Sequence, residues 1–306
     1  MSEIRVEAVN VSYGNRPALV NVNLCVEPQQ IYGLLGPNGG GKTTLFRVLS
    51  TLLRPASGNA WVGGASVIDS PMSVRHRIGV VFQTNSLDRD LTVRENLLCE
   101  AYLRGIKKAE ARTRIEELLG RFNLADRSSE LVRTLSGGLQ RRLEIAKSLL
   151  HRPRLLIMDE PSAALDPTAR FELWSLLRVL RDEQDMTIVL TTHLMEEADR
   201  CDRLAILHRG RIVSEGSPES LKERIGGDVV SIQSKEPAQL AELIKQRFGC
   251  HSQLVDGTVR VERPRGHQFV AQVIEAFPGR ITAVTVSRPT LEDVFVHETG
   301  QQFVDE

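Results

Sequence analysis

The sequence lacks every feature that would mark a chain as secreted, metal-stapled or membrane-embedded. Its four cysteines (Cys25, Cys99, Cys201 and Cys250) lie far apart, without the C-x-x-C spacing of zinc or redox sites. They read as isolated reduced thiols of a cytosolic protein. No apolar run reaches the roughly 20 residues that a membrane span requires. The N-terminal stretch MSEIRVEAVN is polar and alternating, which is not the pattern of a secretory signal. Neither charge sign is in excess, since 39 Lys and Arg balance 39 Asp and Glu. That balance removes the electrostatic footprint of a nucleic-acid partner, and basic residues bunch only locally, as at Gln140-Arg141-Arg142. What is left is an ordinary globular composition, 41% hydrophobic and 25% charged, on 306 residues. That length holds about two domains at roughly 100–200 residues each.

Hydrophobic periodicity divides the chain. Ile4, Val6 and Ala8, with a turn at Tyr13-Gly14-Asn15, predict an edge meander of short strands. Gln30 to Leu35 predicts a buried strand, and Thr43 to Leu53 a helix bearing Leu45, Phe46, Leu49, Leu52 and Leu53, stopped at Pro55. Residues 84–150 read as mostly helical; Ile115, Leu118, Leu119 and Phe122 share one face there. Two continuous apolar runs, Leu155–Met158 and Thr187–Leu190, flank a helical stretch from Ala169 to Leu180, the mark of a buried, mainly parallel sheet. Composition changes near Gly226-Gly227. Beyond it come a strand (Val229, Val230, Ile232), a helix closed by Gly249, a hairpin turning at Asp256-Gly257, a second helix from Phe269 to Phe277 and a strand from Ile281 to Val286. That βαββαβ order predicts a small ferredoxin-like module.

Chemistry begins at Gly36-Pro37-Asn38-Gly39-Gly40-Gly41-Lys42-Thr43-Thr44, which fits G-x-x-x-x-G-K-[ST] between a predicted strand and a predicted helix. Glycines let backbone N–H groups close around phosphate oxygens, and the helix adds a positive N-terminal dipole. In such a loop Lys42 neutralises the β- and γ-phosphates, and the Thr43 hydroxyl ligates Mg²⁺. Nucleotide binding follows from this loop alone.

Two later segments narrow the family. Leu135-Ser136-Gly137-Gly138-Leu139-Gln140 precedes a helix, and Leu155-Leu156-Ile157-Met158-Asp159-Glu160-Pro161 ends a strand. With the phosphate loop they resemble the nucleotide-binding domain of ABC ATPases, in the family's order from about Ile4 to Glu223. The resemblance implies an α/β P-loop NTPase of ABC type, with a mainly parallel core sheet, an antiparallel β subdomain and a helical subdomain (about 84–150). It places the nucleotide-binding domain at residues 1–224 and an accessory α+β domain at 225–306. It also implies roles. Tyr13 matches the aromatic that stacks on adenine, and Gln83 the glutamine that reaches Mg²⁺ and the attacking water. Asp159 supports Mg²⁺ through water, Glu160 is the general base, and His193 contacts the γ-phosphate. Ser136, Gly137, Gly138 and Gln140 close in trans over ATP held by a second subunit, and Leu165-Asp166 links the two sites. Two positions depart from the family's pattern. Gly40 replaces a frequent alanine and is expected only to loosen the backbone. Ala164 stands where glycine is usual, although a Cβ disfavours φ > 0.

The segment Pro289–Gly300 is similar to the C-terminal motif of bacterial ATPases resembling the daunorubicin-resistance exporter subunit. Thr290 is expected to cap a helix bearing Leu291, Val294 and Phe295, docked on the small module. Leu139–Arg142 and Leu91–Asn96 look like the same branch. The resemblance implies an ATP-hydrolysing homodimer, peripheral on the cytoplasmic side of the cell membrane, powering export through two copies of a separate membrane subunit. Leu87–Tyr102 is the expected contact with that subunit. Two alternatives stay open: an importer ATPase with a C-terminal regulatory domain, and a non-transport ABC ATPase of DNA repair or translation. Against the second, the chain has one nucleotide domain and neither long coiled coils nor basic arms. The module's role, dimer stabilisation or regulation, and the cargo are not written in the sequence.

Overall fold

The structure is a computed structural model that describes residues 2–303; residue 1 and residues 304–306, the outer ends of the two expected domain ranges, lie outside the described residues. Its centre is a six-stranded sheet in the order Arg211–Gly216, Arg203–His208, Ile31–Leu35, Thr187–Thr192, Leu155–Asp159, Ile78–Val81. Five of these strands run parallel, and only Arg211–Gly216 pairs antiparallel. Ile31–Leu35, Leu155–Asp159 and Thr187–Thr192 are buried at every residue, which accounts for their unbroken apolar runs.

One face of this sheet packs on the phosphate-loop helix Lys42–Leu49 and a second, antiparallel sheet ordered Arg16–Val26, Ile4–Tyr13, Ser57–Val62, Ala65–Ser66. Two details differ from the sequence reading. Ile4–Tyr13 is an interior strand, hydrogen-bonded on both sides. Its alternation breaks at Ala8, an exposed bulge residue at φ 47°, after which Val9 and Val11 take the inward positions. The helix ends at Leu49, short of Leu53. Thr51 turns into the left-handed region at φ 63°, and the N–H groups of Leu52 and Leu53 both return to Arg47 O. The chain therefore closes the helix before Pro55 and leaves Leu52 exposed.

The opposite face carries Val93–Leu103, Lys108–Arg121, Gly137–Leu149 and Pro167–Gln184, whose apolar faces share one core with Leu156, Met158, Ile188 and Leu190. Thr92 opens the first of these with a capping box to Glu95.

Beyond residue 227 a third sheet is ordered Ser252–Val255, Thr258–Arg263, Asp228–Ser234, Ile281–Ser287, antiparallel throughout and covered by Pro237–Phe248 and Gly266–Ala276. This is the ferredoxin-like order. The Leu291–Thr299 helix departs from expectation. Thr290 and Asp293 form its capping box, but Leu291, Val294 and Phe295 pack mainly with Leu35, Leu204, Ile206 and Leu221 of the nucleotide-loop half, and of the small module only Val229 joins that cluster. Its polar side faces the module through the Arg260–Asp293 ion pair and His297 Nδ1 3.0 Å from Glu262. The apolar stripe needed a core to enter, and the end of the parallel sheet at Leu35, Leu204 and Ile206 receives it.

Phe295 is buried, with its ring edge-on to His208 and Phe303 at 5.3 and 5.0 Å. Phe295→Ala is therefore expected to destabilise the full chain by about 3–5 kcal/mol in urea unfolding. An unchanged midpoint would show that this helix is not part of the shared core.

Candidate functional site

Four parallel strands end in register, and each delivers a residue to the same edge. Leu35 pairs with Thr192, Asp159 with Thr191, and Val81 with Met158. The segments just beyond carry the phosphate loop, His193, Glu160 and Gln83, at the carboxyl edge where open α/β sheets take ligands. Glu160 is the meeting point. Lys42 Nζ lies 3.4 Å from its Oε1, His193 Nδ1 lies 3.3 Å from the same oxygen, and Gln83 Nε2 donates to Oε2 at 3.2 Å. Its backbone is in the left-handed region (φ 45°), held there as its N–H donates to Thr191 Oγ1 at 2.9 Å.

Below it, Asp159 Oδ1 accepts from Thr191 Oγ1 at 2.6 Å and from Thr43 Oγ1 at 3.3 Å. Burial raises the Asp159 carboxyl above its ordinary range, and these two hydroxyls pull it back. Thr43 and Asp159 thus present hard oxygen donors side by side. They are too few to cage an ion, and no group of three or more His, Cys, Asp or Glu is poised as a metal cage among the described residues. An incomplete oxygen set of this kind suits Mg²⁺ that brings its own waters and phosphate oxygens.

The loop is shaped to admit phosphates. Gly39 and Gly41 have φ of 74° and 110°, and a Cβ on Gly41 would lie 2.8 Å from Ala18 O. A Cβ on Gly40 would come 2.9 Å from Pro37 O, so this glycine allows a close backbone approach rather than merely loosening the loop. Lys42 Nζ donates to Gly36 O at 2.7 Å and Pro37 O at 3.2 Å. A cavity of ≈370 Å³ opens over this loop, lined by Asn38, Thr44, Gln83 and Glu160, with Tyr13 on the rim, 48% exposed beside Arg16.

Ser136, Gly137, Gly138 and Gln140 do not line this cavity. Ser136 caps the Gly137–Leu149 helix, and Gly138 abuts Ala169, where a Cβ would clash at 2.9 Å. Gln140 is engaged within its own chain, donating to Leu135 O at 2.9 Å and accepting from Asn85 at 2.8 Å. Asp166 is the N-cap of Pro167–Gln184, accepting from Ala169 N at 2.9 Å, and Ala164 before it holds φ 62° despite its Cβ. Such a conformation costs on the order of 1–3 kcal/mol.

Two residues that the sequence reading passed over grip the Gln83 segment. Arg141 donates to Phe82 O at 2.8 Å and Gln83 O at 3.3 Å, and it pairs with Glu144 at 2.8 Å. Glu144 accepts from Ser86 N at 2.7 Å. Burial pushes the Arg141 guanidinium below and the Glu144 carboxyl above their ordinary values, against their mutual attraction. The signal available in the sequence was an opposite-charge pair three apart on a helix whose neighbours, Leu143 and Ile145, are core residues.

Known proteins resemble this chain over most of its length. A family model described as ABC transporter matches residues 19–163. The chain is 39% identical to daunorubicin resistance ATP-binding protein DrrA3 of Streptomyces coeruleorubidus, over 97% of this chain and 96% of that one. It is 38% identical to Nod factor export ATP-binding protein I of Burkholderia thailandensis, over 100% and 99%. Among solved structures, cbiO1 from Clostridium perfringens, part of an ABC transporter complex, superposes with a TM-score of 0.68 at 27% identity, covering 81% of this chain and 96% of that one. A dimeric post-hydrolysis state of the ATP-binding cassette MJ0796 with ADP and Pi gives 0.63 at 29% identity, covering 70% and 98%.

Removing Arg141 leaves Glu144 buried and unpaired. Arg141→Ala should cost about 3–5 kcal/mol of stability. Arg141→Lys, whose single ammonium lacks the planar fork that reaches Phe82 O, Gln83 O and Glu144 together, should keep the fold and lower ATPase by about tenfold. Full ATPase in both variants would refute a role in holding Gln83.

Proposed function

The chain belongs to the ABC transporter family, as an ATP-binding and ATP-hydrolysing subunit, and from that premise we propose that it works as one half of a homodimer that drives export through a separate membrane subunit. The observation that carries the mechanism is the convergence of Lys42, Gln83 and His193 on the Glu160 carboxylate, within 3.4 Å in each case. Glu160 accepts the proton of the attacking water, Gln83 orients that water, and Lys42 and His193 neutralise charge on the transferring phosphoryl group. Thr43, Gln83 and Asp159 would hold Mg²⁺, the last through water, and the ion would supply charge neutralisation to the phosphates. Tyr13 stacks on adenine, and Gly36 to Thr44 wrap the phosphates.

Ser136, Gly137 and Gly138 stand at a helix N-terminus away from their own chain's cavity. That placement supports their closing over the nucleotide of the other subunit, with Asp166 linking the two sites. Gln140 shares that surface. The accessory domain begins at residue 225, with its Leu291–Thr299 helix returning to the nucleotide-loop half, and 84–150 make the helical subdomain.

Export is supported by the relatives' names, one a daunorubicin resistance protein and the other a Nod factor export protein. No helix among the described residues is long and apolar enough to cross a membrane. Membership of the ABC transporter family supports a membrane path formed by a partner, with this chain peripheral on its cytoplasmic side. The partner's docking place is a ≈540 Å³ groove lined by Leu52, Met72, Phe82 and Leu103, with Glu144 and Lys147 from the helix that grips Gln83. Leu52, Met72 and Leu103 are exposed there, a concentration of apolar surface at the junction of the two lobes. It adjoins the Leu87–Tyr102 stretch, whose Arg94 is already tied to Glu116 at 2.6 Å.

Glu160→Gln should retain ATP binding and lose hydrolysis by about 10²–10⁴-fold, leaving an ATP-stabilised dimer on size exclusion. Retained turnover would sink the general-base assignment. For the groove, Leu103→Glu should abolish copurification with the membrane subunit and spare nucleotide binding; intact assembly would place the partner elsewhere.

A further inference from the structure

His193 is held from behind by a carboxylate that the hydrolysis mechanism does not use. Glu197, on the short helix Met195–Ala198, is 2% exposed. Its Oε2 accepts from Thr192 Oγ1 at 2.7 Å, and Thr192 Oγ1 in turn accepts from Leu194 N at 3.0 Å. The residues on both sides of His193 are therefore fixed through one side chain. The other oxygen, Glu197 Oε1, is buried without a hydrogen bond, and so is Arg170 Nε, the group that faces it 3.8 Å away. A buried donor and a buried acceptor of opposite charge stand just beyond bonding distance.

Arg170 belongs to the first turn of Pro167–Gln184. Its N–H donates to Asp166 O at 2.9 Å, and its neighbour Ala169 abuts Gly138 of the Ser136 helix. The start of that helix therefore touches three things: the Asp166 loop, the Gly137–Leu149 helix, and the Glu197 carboxylate bonded to the residue before His193. An unsatisfied buried polar atom is costly, and a charge-assisted hydrogen bond is among the strongest a protein makes. A shift of about 1 Å at the helix start, within the range of packed-helix motions, joins the pair.

We propose that Glu197 is a positioning residue for His193, and that Arg170 is the arm by which the Asp166 loop sets it. On this view, closure of a second subunit on Asp166 moves the helix start, the Arg170–Glu197 bond forms, and the Thr192–Leu194 segment locks with His193 aimed at the phosphate. Each chain then readies its own His193 only when its neighbour is in place. The idea rests on the roles given above to His193 and Asp166.

The test uses the full-length chain in single-turnover ATPase assays, with a fluorescent ATP analogue to measure binding. Glu197→Gln keeps an oxygen for Thr192 and turns a donor toward Arg170. It should lower the rate constant for hydrolysis by about tenfold to a hundredfold with nucleotide affinity unchanged, as expected for one charged hydrogen bond made only in the closed state. Arg170→Met, at a partly exposed residue, should do the same, and the double variant should lose no more than either single one. In a His193→Ala background neither change should reduce the rate further. Additive losses, or equal losses with and without His193, would overturn the proposal in favour of a packing role. Should Glu197→Gln fail to fold, Arg170→Met with and without His193→Ala decides the matter alone. Glu160→Gln in the same assay separates the two ideas: if it abolishes hydrolysis while Arg170→Met changes nothing, only the relay fails.

Discussion

Thr191 stands opposite Asp159 in the pairing of two fully buried parallel strands, and its hydroxyl serves both neighbours at once, donating to Asp159 Oδ1 and accepting from Glu160 N–H. Everything at the nucleotide edge depends on that register. The first bond aims the Asp159 carboxylate at Thr43. The second holds Glu160 in a left-handed turn that brings its side chain over the phosphate loop, within reach of Lys42, Gln83 and His193. A shift of one residue between these strands would reverse the faces of every side chain in the group.

The rest of the molecule braces this edge from three directions. The antiparallel sheet and the Lys42–Leu49 helix close one face of the parallel sheet. The helical lobe closes the other, with Arg141 and Glu144 carrying its one buried ion pair to the backbone around Gln83. The Leu291–Thr299 helix seals the far end, beside the Arg209-Gly210 turn whose Gly210 N–H donates to Gly40 O. Each brace joins an apolar contact, which supplies most of the energy, to a few polar contacts that set direction.

Strain gathers in the same place. Glu160 and Ala164 both occupy the left-handed region, four residues apart, on the segment that leads to the Asp166 cap. Left-handed non-glycine residues persist where the surroundings over-determine them. Here the Thr191 hydroxyl holds the first, and the second is followed by Leu165 N donating to Ser162 O. The segment that joins the Glu160 carboxylate to the Asp166 loop is thus held under tension at both ends.

The local features of this protein were legible in the residues themselves. The phosphate loop, the buried strands, the βαββαβ module and the helix capped by Thr290 follow from spacing, because glycine turns, period-2 and period-3.6 patterns and caps are properties of short segments. Lys42 could be picked out from the phosphate-loop pattern, and Glu160 and His193 through the resemblance to ABC ATPases. Other features required the folded chain. Which core received Leu291 and Phe295 depended on what the parallel sheet left uncovered, and no spacing records that. Ala8 bulged between two partner strands, one of them dozens of residues away. Arg141, Glu144, Arg170 and Glu197 look like solvated helix charges in sequence, and only burial between two elements turns them into supports for Gln83 and His193. Local patterns settle which elements form; long-range packing decides which polar groups lose water, and those groups set the geometry of the site.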